Sequence, residues 1–107
     1  MLSPDDRRIA RRLKRRLSDV APVLVDVRVF GSRARGDATP ESDLDIFIEL
    51  ETASRADRSR IADLAWEVGF DEGLVIFPFV VTREQLEQGP VGASPIIRQI
   101  LTEGAPV

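Results

Sequence analysis

Val29-Phe30-Gly31-Ser32-Arg33-Ala34-Arg35-Gly36-Asp37-Ala38-Thr39-Pro40-Glu41-Ser42-Asp43-Leu44-Asp45-Ile46-Phe47-Ile48 decides how the rest of this chain is read. It holds a Gly-Ser pair, ten further residues and then Asp-x-Asp. The segment Val23 to Phe30 is rich in β-branched residues and stops at Gly31, which predicts a strand. Leu44 to Leu50 predicts a second. Side chains alternate along a strand, so Asp43, Asp45, Phe47 and Glu49 share one face, and Leu44, Ile46, Ile48 and Leu50 share the other. Asp43 and Asp45 therefore stand side by side where the second strand begins. Like charges that close repel, which protonates one of them or draws in a cation. A divalent metal is the usual relief, and hard oxygen ligands suit Mg²⁺.

Just upstream, Gly31 permits a tight turn and lets backbone approach a ligand closely. Ser32 adds a hydroxyl and a backbone N–H, and Arg33-Ala34-Arg35 predicts a short helical turn whose N-terminus faces an anion. Arg33 and Arg35 are candidate phosphate contacts, because guanidinium pairs well with phosphate oxygens; the plainer reading of each is a surface arginine. Together these groups suit a nucleoside triphosphate held through its phosphates and Mg²⁺.

On those residues the chain resembles a family. Gly31-Ser32, ten residues, Asp43-x-Asp45 is similar to the signature of the DNA polymerase β nucleotidyltransferase superfamily. Phe-Gly-Ser-Arg-Ala-Arg-Gly-Asp and Ser-Asp-Leu-Asp-Ile look like its smallest branch, the minimal nucleotidyltransferases. The resemblance covers residues 29–48, about a fifth of the chain. It implies an α/β (α+β) nucleotidyltransferase fold: a small mixed sheet of three or four strands with helices mainly on one face. It also implies transfer of a nucleoside monophosphate, AMP from ATP, to a hydroxyl on a protein acceptor. Asp43 and Asp45 would be the catalytic and metal residues, with Gly31, Ser32, Arg33 and Arg35 at the nucleotide. Minimal nucleotidyltransferases often pair with a small helical HEPN-domain protein as the antitoxin of a toxin–antitoxin system, and the resemblance extends that expectation to this chain.

Composition narrows the chemistry. A chain of 107 residues predicts one domain, residues 1–107, with one core and no second catalytic domain. Acceptor or base contacts beyond it would come from a partner or from a homo-oligomer. There is no cysteine and no histidine, which excludes disulfides, thiolate metal sites and imidazole bases and leaves oxygen-ligated metals. No apolar run reaches membrane-spanning length, so the expectation is a soluble, cytoplasmic protein with no membrane partner. The first twenty residues carry seven Lys/Arg against three Asp, a balance of +4, and the remainder is at −7.

Ser3-Pro4-Asp5-Asp6 opens a helix, with Ser3 as cap. Ile9, Leu13, Leu17 and Val20 form its apolar stripe and Pro22 ends it. Its arginines read as a solvated face, or as a patch for an acidic partner or nucleic acid; the absence of aromatics makes nucleic acid the weakest of these. Gly36 and Thr39-Pro40 shape the turn into the second strand, and Ser42 belongs to that turn.

Thr52 to Phe70 predicts a second long helix, capped by Ser54 with Asp57 and ended by Gly69, burying Ile61, Leu64, Ala65 and Val68. Trp66 flanks that face as a core residue. Leu74 to Val81, almost wholly apolar, predicts a strand covered on both faces, at a sheet edge or bulged at Pro78. Thr82 to Gln85 opens a short helix to Gln88. Pro95 to Glu103 is the last helix, with Ile96, Ile97, Ile100 and Leu101 inward and Gly104 as its stop.

One feature departs from the family pattern. Active members carry a third carboxylate on a later strand beside the Asp-x-Asp strand, where it helps hold the catalytic metal and takes the proton from the attacking hydroxyl. The counterpart here, residues 74–81, has no acid; Val75, Phe77 or Phe79 stands in its place. Glu49 lies about 13 Å from Asp45 at roughly 3.3 Å per residue. Asp71 and Glu72, just before the strand, are the remaining candidates. The alternative reading follows: a catalytically impaired binding module that keeps the fold and neutralises a partner protein by contact.

Overall fold

A computed structural model describes residues 1–21 and 23–107. Helix α1 runs Pro4–Val20, and Ser3 caps it by accepting from the Asp6 N–H at 3.0 Å. The expected stop at Pro22 lies outside the described residues; at the end of α1 the Ala21 N–H donates to the Leu17 carbonyl at 2.8 Å. Strand β1 (Leu24–Phe30) leads into a short helix α2 (Gly31–Arg35), then strand β2 (Leu44–Leu50). Helix α3 (Arg55–Glu72) crosses to strand β3 (Ile76–Thr82), followed by α4 (Arg83–Gln88), a 3-10 turn Pro90–Ala93, α5 (Pro95–Glu103) and strand β4 (Ala105–Pro106).

The sheet order is β3-β2-β1-β4. β1 is antiparallel to β2 and to β4, while β3 lies parallel to β2, as a helical crossover requires. This is the expected small mixed sheet with four strands. α1 and α3 cover one face through Ile9, Leu13, Leu17, Ile61, Ala65 and Val68, packed on Val27, Val29, Leu44, Ile46, Ile48 and Leu50. On the other face Phe47 and Val81 pack against Ile97 and Ile100 of α5. The two long helices therefore share a face and α5 covers part of the opposite one.

Two capping boxes form, at the starts of α3 and α4. Ser54 accepts from the Asp57 N–H at 3.0 Å while the Ser54 N–H donates to the Asp57 carboxylate at 2.9 Å. Thr82 and Gln85 repeat the exchange at α4. Other expectations are corrected. α3 continues past Gly69 to Glu72, and Gly73, at φ 78°, is the left-handed residue that ends it. Gly69 is there for space: a Cβ would strike the Leu74 carbonyl.

Trp66 is not core. It is exposed and stacks on Phe70, ring centroids 5.2 Å apart, on the outer side of α3. Ile96 and Leu101 also stay exposed, because only Ile97 and Ile100 of α5 turn to the sheet. β1 carries a bulge: Leu24 and Asp26 oppose Leu50 and Glu49, two steps against one. The extra residue turns Leu24 towards the core that Val27 and Val29 share; strict alternation would place it on the opposite face. β3 is an edge strand, as Pro78 suggested, and it is not covered on both faces: Phe77 is 49% exposed.

The basic face of α1 has a partner inside the chain. Arg8 and Arg12 bind Glu72, Arg12 binds Asp71, and Arg16 binds Glu67, all on α3. Arg7 and Lys14 donate to the carbonyls of Pro106 and Val107 and tie down the C-terminal strand. No helix among the described residues is long and apolar enough to cross a membrane.

Candidate active site

β1 ends at Phe30 in extended backbone, and Gly31 turns into α2 at φ 75°, a left-handed value that favours glycine. The same glycine is required for space. A Cβ at Gly31 would fall on the Asp45 carboxylate, so the bare backbone lets Asp45 lie against the Gly-Ser turn. Register places Phe30 of β1 and Phe77 of β3 on either side of Asp45. These positions share the sheet face that α5 covers, beyond the end of the cluster around Phe47 and Val81.

Asp43 is exposed and Asp45 half-buried. Burial pushes the Asp45 carboxyl above its ordinary range, the Asp43 charge pushes it further, and Arg35 opposes both. Two hard oxygen donors that repel each other fit Mg²⁺, which takes one or two carboxylates plus substrate phosphates. Among the described residues no third acid joins them to make a larger metal-binding group.

The two arginines of α2 are used differently. The Arg33 side chain is only 11% exposed. Its guanidinium donates to the Ser42 carbonyl at 2.9 and 2.7 Å, to the Pro40 carbonyl at 3.1 Å, and to Asp6 at 2.9 Å. Those donors hold the loop immediately before Asp43, so Arg33 is a positioning residue in this arrangement. Arg35 is 48% exposed, touches Asp37 at 3.3 Å, and lies near enough to Asp45 to act on its charge. Ser32, at the start of α2, gives its carbonyl to the N–H groups of Gly36 and Asp37 at 3.0 and 3.1 Å. Ser42 shapes the turn, accepting from the Thr39 N–H at 3.0 Å.

Asp6 is the residue that sequence reasoning missed. It reads as an ordinary acid in a first helical turn, and its bond to Arg33 spans 27 positions, so no local signal marks it. The candidate replacements for the third carboxylate are not available: Glu72 and Asp71 are held by Arg8 and Arg12 on the α1–α3 side of the sheet. Glu49 shares the face of Asp45 but is buried beside Arg83, 3.8 Å away.

The chain matches the family profile described as a nucleotidyltransferase domain over residues 7–106. It is similar to a solved structure classed as a minimal nucleotidyltransferase, at 28% identity and a TM-score of 0.63, covering 100% of this chain and 97% of that one. It is also similar to a crystal structure of a toxin–antitoxin with AMP-PNP, at 23% identity and a TM-score of 0.61, covering 91% of this chain and 70% of that one; at that identity the likeness shows the fold. No curated protein matches the chain. A profile match over nearly its whole length, on a sheet that seats Asp45 against Gly31, makes this chain a member of the nucleotidyltransferase domain family, of the minimal type.

Proposed function

We propose that this chain, acting as one domain over residues 1–107, is a Mg²⁺-dependent nucleotidyltransferase that moves AMP from ATP to a hydroxyl on a protein acceptor. The observation that carries the reading is the seating of the Asp45 carboxylate against the Gly31 backbone, with Asp43 beside it. The Gly31-Ser32 turn and Arg35 bind the triphosphate, and Arg33 keeps the approach to Asp43 in place. Asp43 and Asp45 would hold Mg²⁺, which supplies charge neutralisation at the phosphates. The acceptor oxygen bonds to the α-phosphorus, the bond from that phosphorus to the bridging oxygen breaks, pyrophosphate leaves, and the hydroxyl proton passes to water. Catalysis is then mainly positioning and electrostatics.

The acceptor, by the family resemblance, is a HEPN-type toxin, with this chain as the cytoplasmic antitoxin. The toxin–antitoxin relative supports that direction. A second reading has its own observation: the residue in register beside Asp45 on β3 is Phe77, and β3 offers no acid. It makes the chain a binding module that neutralises its partner by contact.

The test is label transfer. ATP radiolabelled at the α-phosphorus is incubated with Mg²⁺ and lysate of the source cells, beside an Asp43→Asn/Asp45→Asn variant. A labelled protein band that depends on the unmutated chain is expected. No band with any of the four labelled ribonucleotides, from folded protein, would turn the choice to the binding module.

A further inference from the structure

Two of the chain's six aromatic side chains stand in solvent on the outer face of α3. Trp66 is 67% and Phe70 71% exposed, and with Ala62 they form one stripe at i, i+4 and i+8. Beside the stripe a groove of about 260 Å³ runs between α3 and the start of β3, walled by Leu74, Val75 and Pro78. None of the side chains lining it is charged. Single exposed apolar residues are ordinary, but a continuous patch of them marks a surface that something covers.

Strand addition does not suit this edge. Pro78 has no N–H, the Val80 carbonyl already accepts from Arg58 at 3.0 Å, and the Thr82 N–H donates to Gln85 at 3.0 Å. The occupant therefore packs through side chains, and charge points to what it is. The first six residues of α3 hold Arg55, Arg58 and Arg60 against Asp57; the last six hold Glu67, Asp71 and Glu72 and no cation. That is the reverse of what the helix dipole favours. α1 answers part of it, yet the Glu67 and Asp71 side chains stay 55% exposed. Arg60 hydrogen-bonds only to the Val20 carbonyl among the described residues.

A second α3 laid antiparallel sets a basic end against an acidic one, twice. With the two-fold axis at Trp66, Ala62 faces Phe70 of the other copy, small against large. Arg60, six residues before Trp66, comes alongside Asp71 of the other copy, five after it and on the same flank at about 100° per residue. Trp66, Phe70 and Val75 leave about 400 Å² of side chain uncovered per copy. Two copies with their charged rims reach the roughly 1,000 Å² that a specific interface needs.

We propose that this face joins two copies of the chain through antiparallel α3 helices, with Trp66 at the two-fold axis. Asp45 lies on the opposite face of the sheet, so the pairing does not depend on the reading of that site.

Sedimentation equilibrium of the full chain tests it, from about 1 to about 300 μM. The mass should rise from 11.9 kDa towards twice that value, with a Kd on the order of 10 μM for an interface of this size. Trp66→Ala should weaken association at least about thirtyfold, the scale of a central aromatic anchor. Arg60→Glu should weaken it about fivefold, and Asp71→Arg in the same chain should recover most of that loss. These positions are exposed, so the variants should keep their fold, which circular dichroism checks; Phe70→Ser is the second probe of the stripe. A mass of 11.9 kDa at every concentration overturns the proposal and leaves the face to a different protein. A dimer that neither Trp66→Ala nor Phe70→Ser loosens overturns it in favour of another surface. A loss on Arg60→Glu that Asp71→Arg does not recover overturns the antiparallel arrangement.

Discussion

Asp71 and Glu72 end α3 with their charge already answered. Arg12 reaches Asp71 at 2.9 Å, and Arg8 and Arg12 each reach Glu72 at 2.8 Å. The Glu72 carboxyl, hydrogen-bonded first by Arg8 and then by Arg12, falls from its ordinary 4.5 to about 2. Asp43 and Asp45 stand at the start of β2 with no ion pair of their own among the described residues. Burial and mutual repulsion push Asp45 the other way. The same residue types thus join two helices in one place and keep an unrelieved repulsion in the other. That unrelieved repulsion, beside a glycine that makes room for it, is the observation on which the proposed cation and phosphate site rests.

The sharpest way to break that contrast is to remove the unrelieved pair. Asp43→Asn/Asp45→Asn should reduce AMP transfer several hundredfold, on the order of several kcal/mol of barrier, read by the label-transfer assay. Its stability should not fall. The folded state holds the Asp45 proton more tightly than the unfolded chain, so that contribution is complete at low pH and lost as pH rises through the raised folded value. At neutral pH and without metal the ionised pair costs stability, and the variant should melt at the same temperature or higher. A clearly lower Tm would mean the pair is structural.

Next in size is the position beside it. Phe77→Asp puts a carboxylate in register with Asp45 on a half-exposed strand position. Transfer should rise on the order of a hundredfold if the missing acid limits the chemistry, which is what a positioned base contributes. No gain in a variant that still binds nucleotide would count against that explanation.

The two arginines of α2 sharpen the comparison further. Arg33→Ala leaves Asp6 buried without its cation and should cost about 2 kcal/mol in urea unfolding. Arg35→Ala should leave stability within about 0.5 kcal/mol and weaken Mg²⁺-triphosphate binding roughly fivefold. The reverse pattern would exchange their roles.

The smallest effect belongs to the satisfied pair. Glu72→Gln should lower Tm by a few degrees at pH 7, because Arg8 remains in contact with solvent. A depressed folded value makes this stabilisation complete above the ordinary 4.5, so in the unmutated chain it is lost as pH falls towards about 2. A Tm difference that persists unchanged at pH 2 would place the effect elsewhere.

Much of this molecule could be read one turn at a time. The Ser54–Asp57 and Thr82–Gln85 boxes, the Ser3 cap and the buried faces of α1 and α3 follow from residues three or four apart. The left-handed Gly31, a matter of one residue, and the shared face of Asp43 and Asp45, two residues apart, are local as well. Apart from the end of α3, which passes Gly69 and stops at Gly73, the expectations that failed did so on a choice made between elements. Trp66, Ile96 and Leu101 are apolar at helical spacing, yet the neighbouring elements leave them uncovered.

By itself, then, the sequence determined the elements and the acidic pair with its glycine turn, because backbone geometry sets those within a few bonds. Only the tertiary structure decided that Arg33 spends its donors on Asp6, Pro40 and Ser42, that Asp71 and Glu72 belong to Arg8 and Arg12, that Phe77 lines up with Asp45, and that α5 closes a cleft beside Gly31. Those outcomes depend on register and on pairings tens of residues apart, where each contact is settled by the packing of whole faces and no short spacing encodes it.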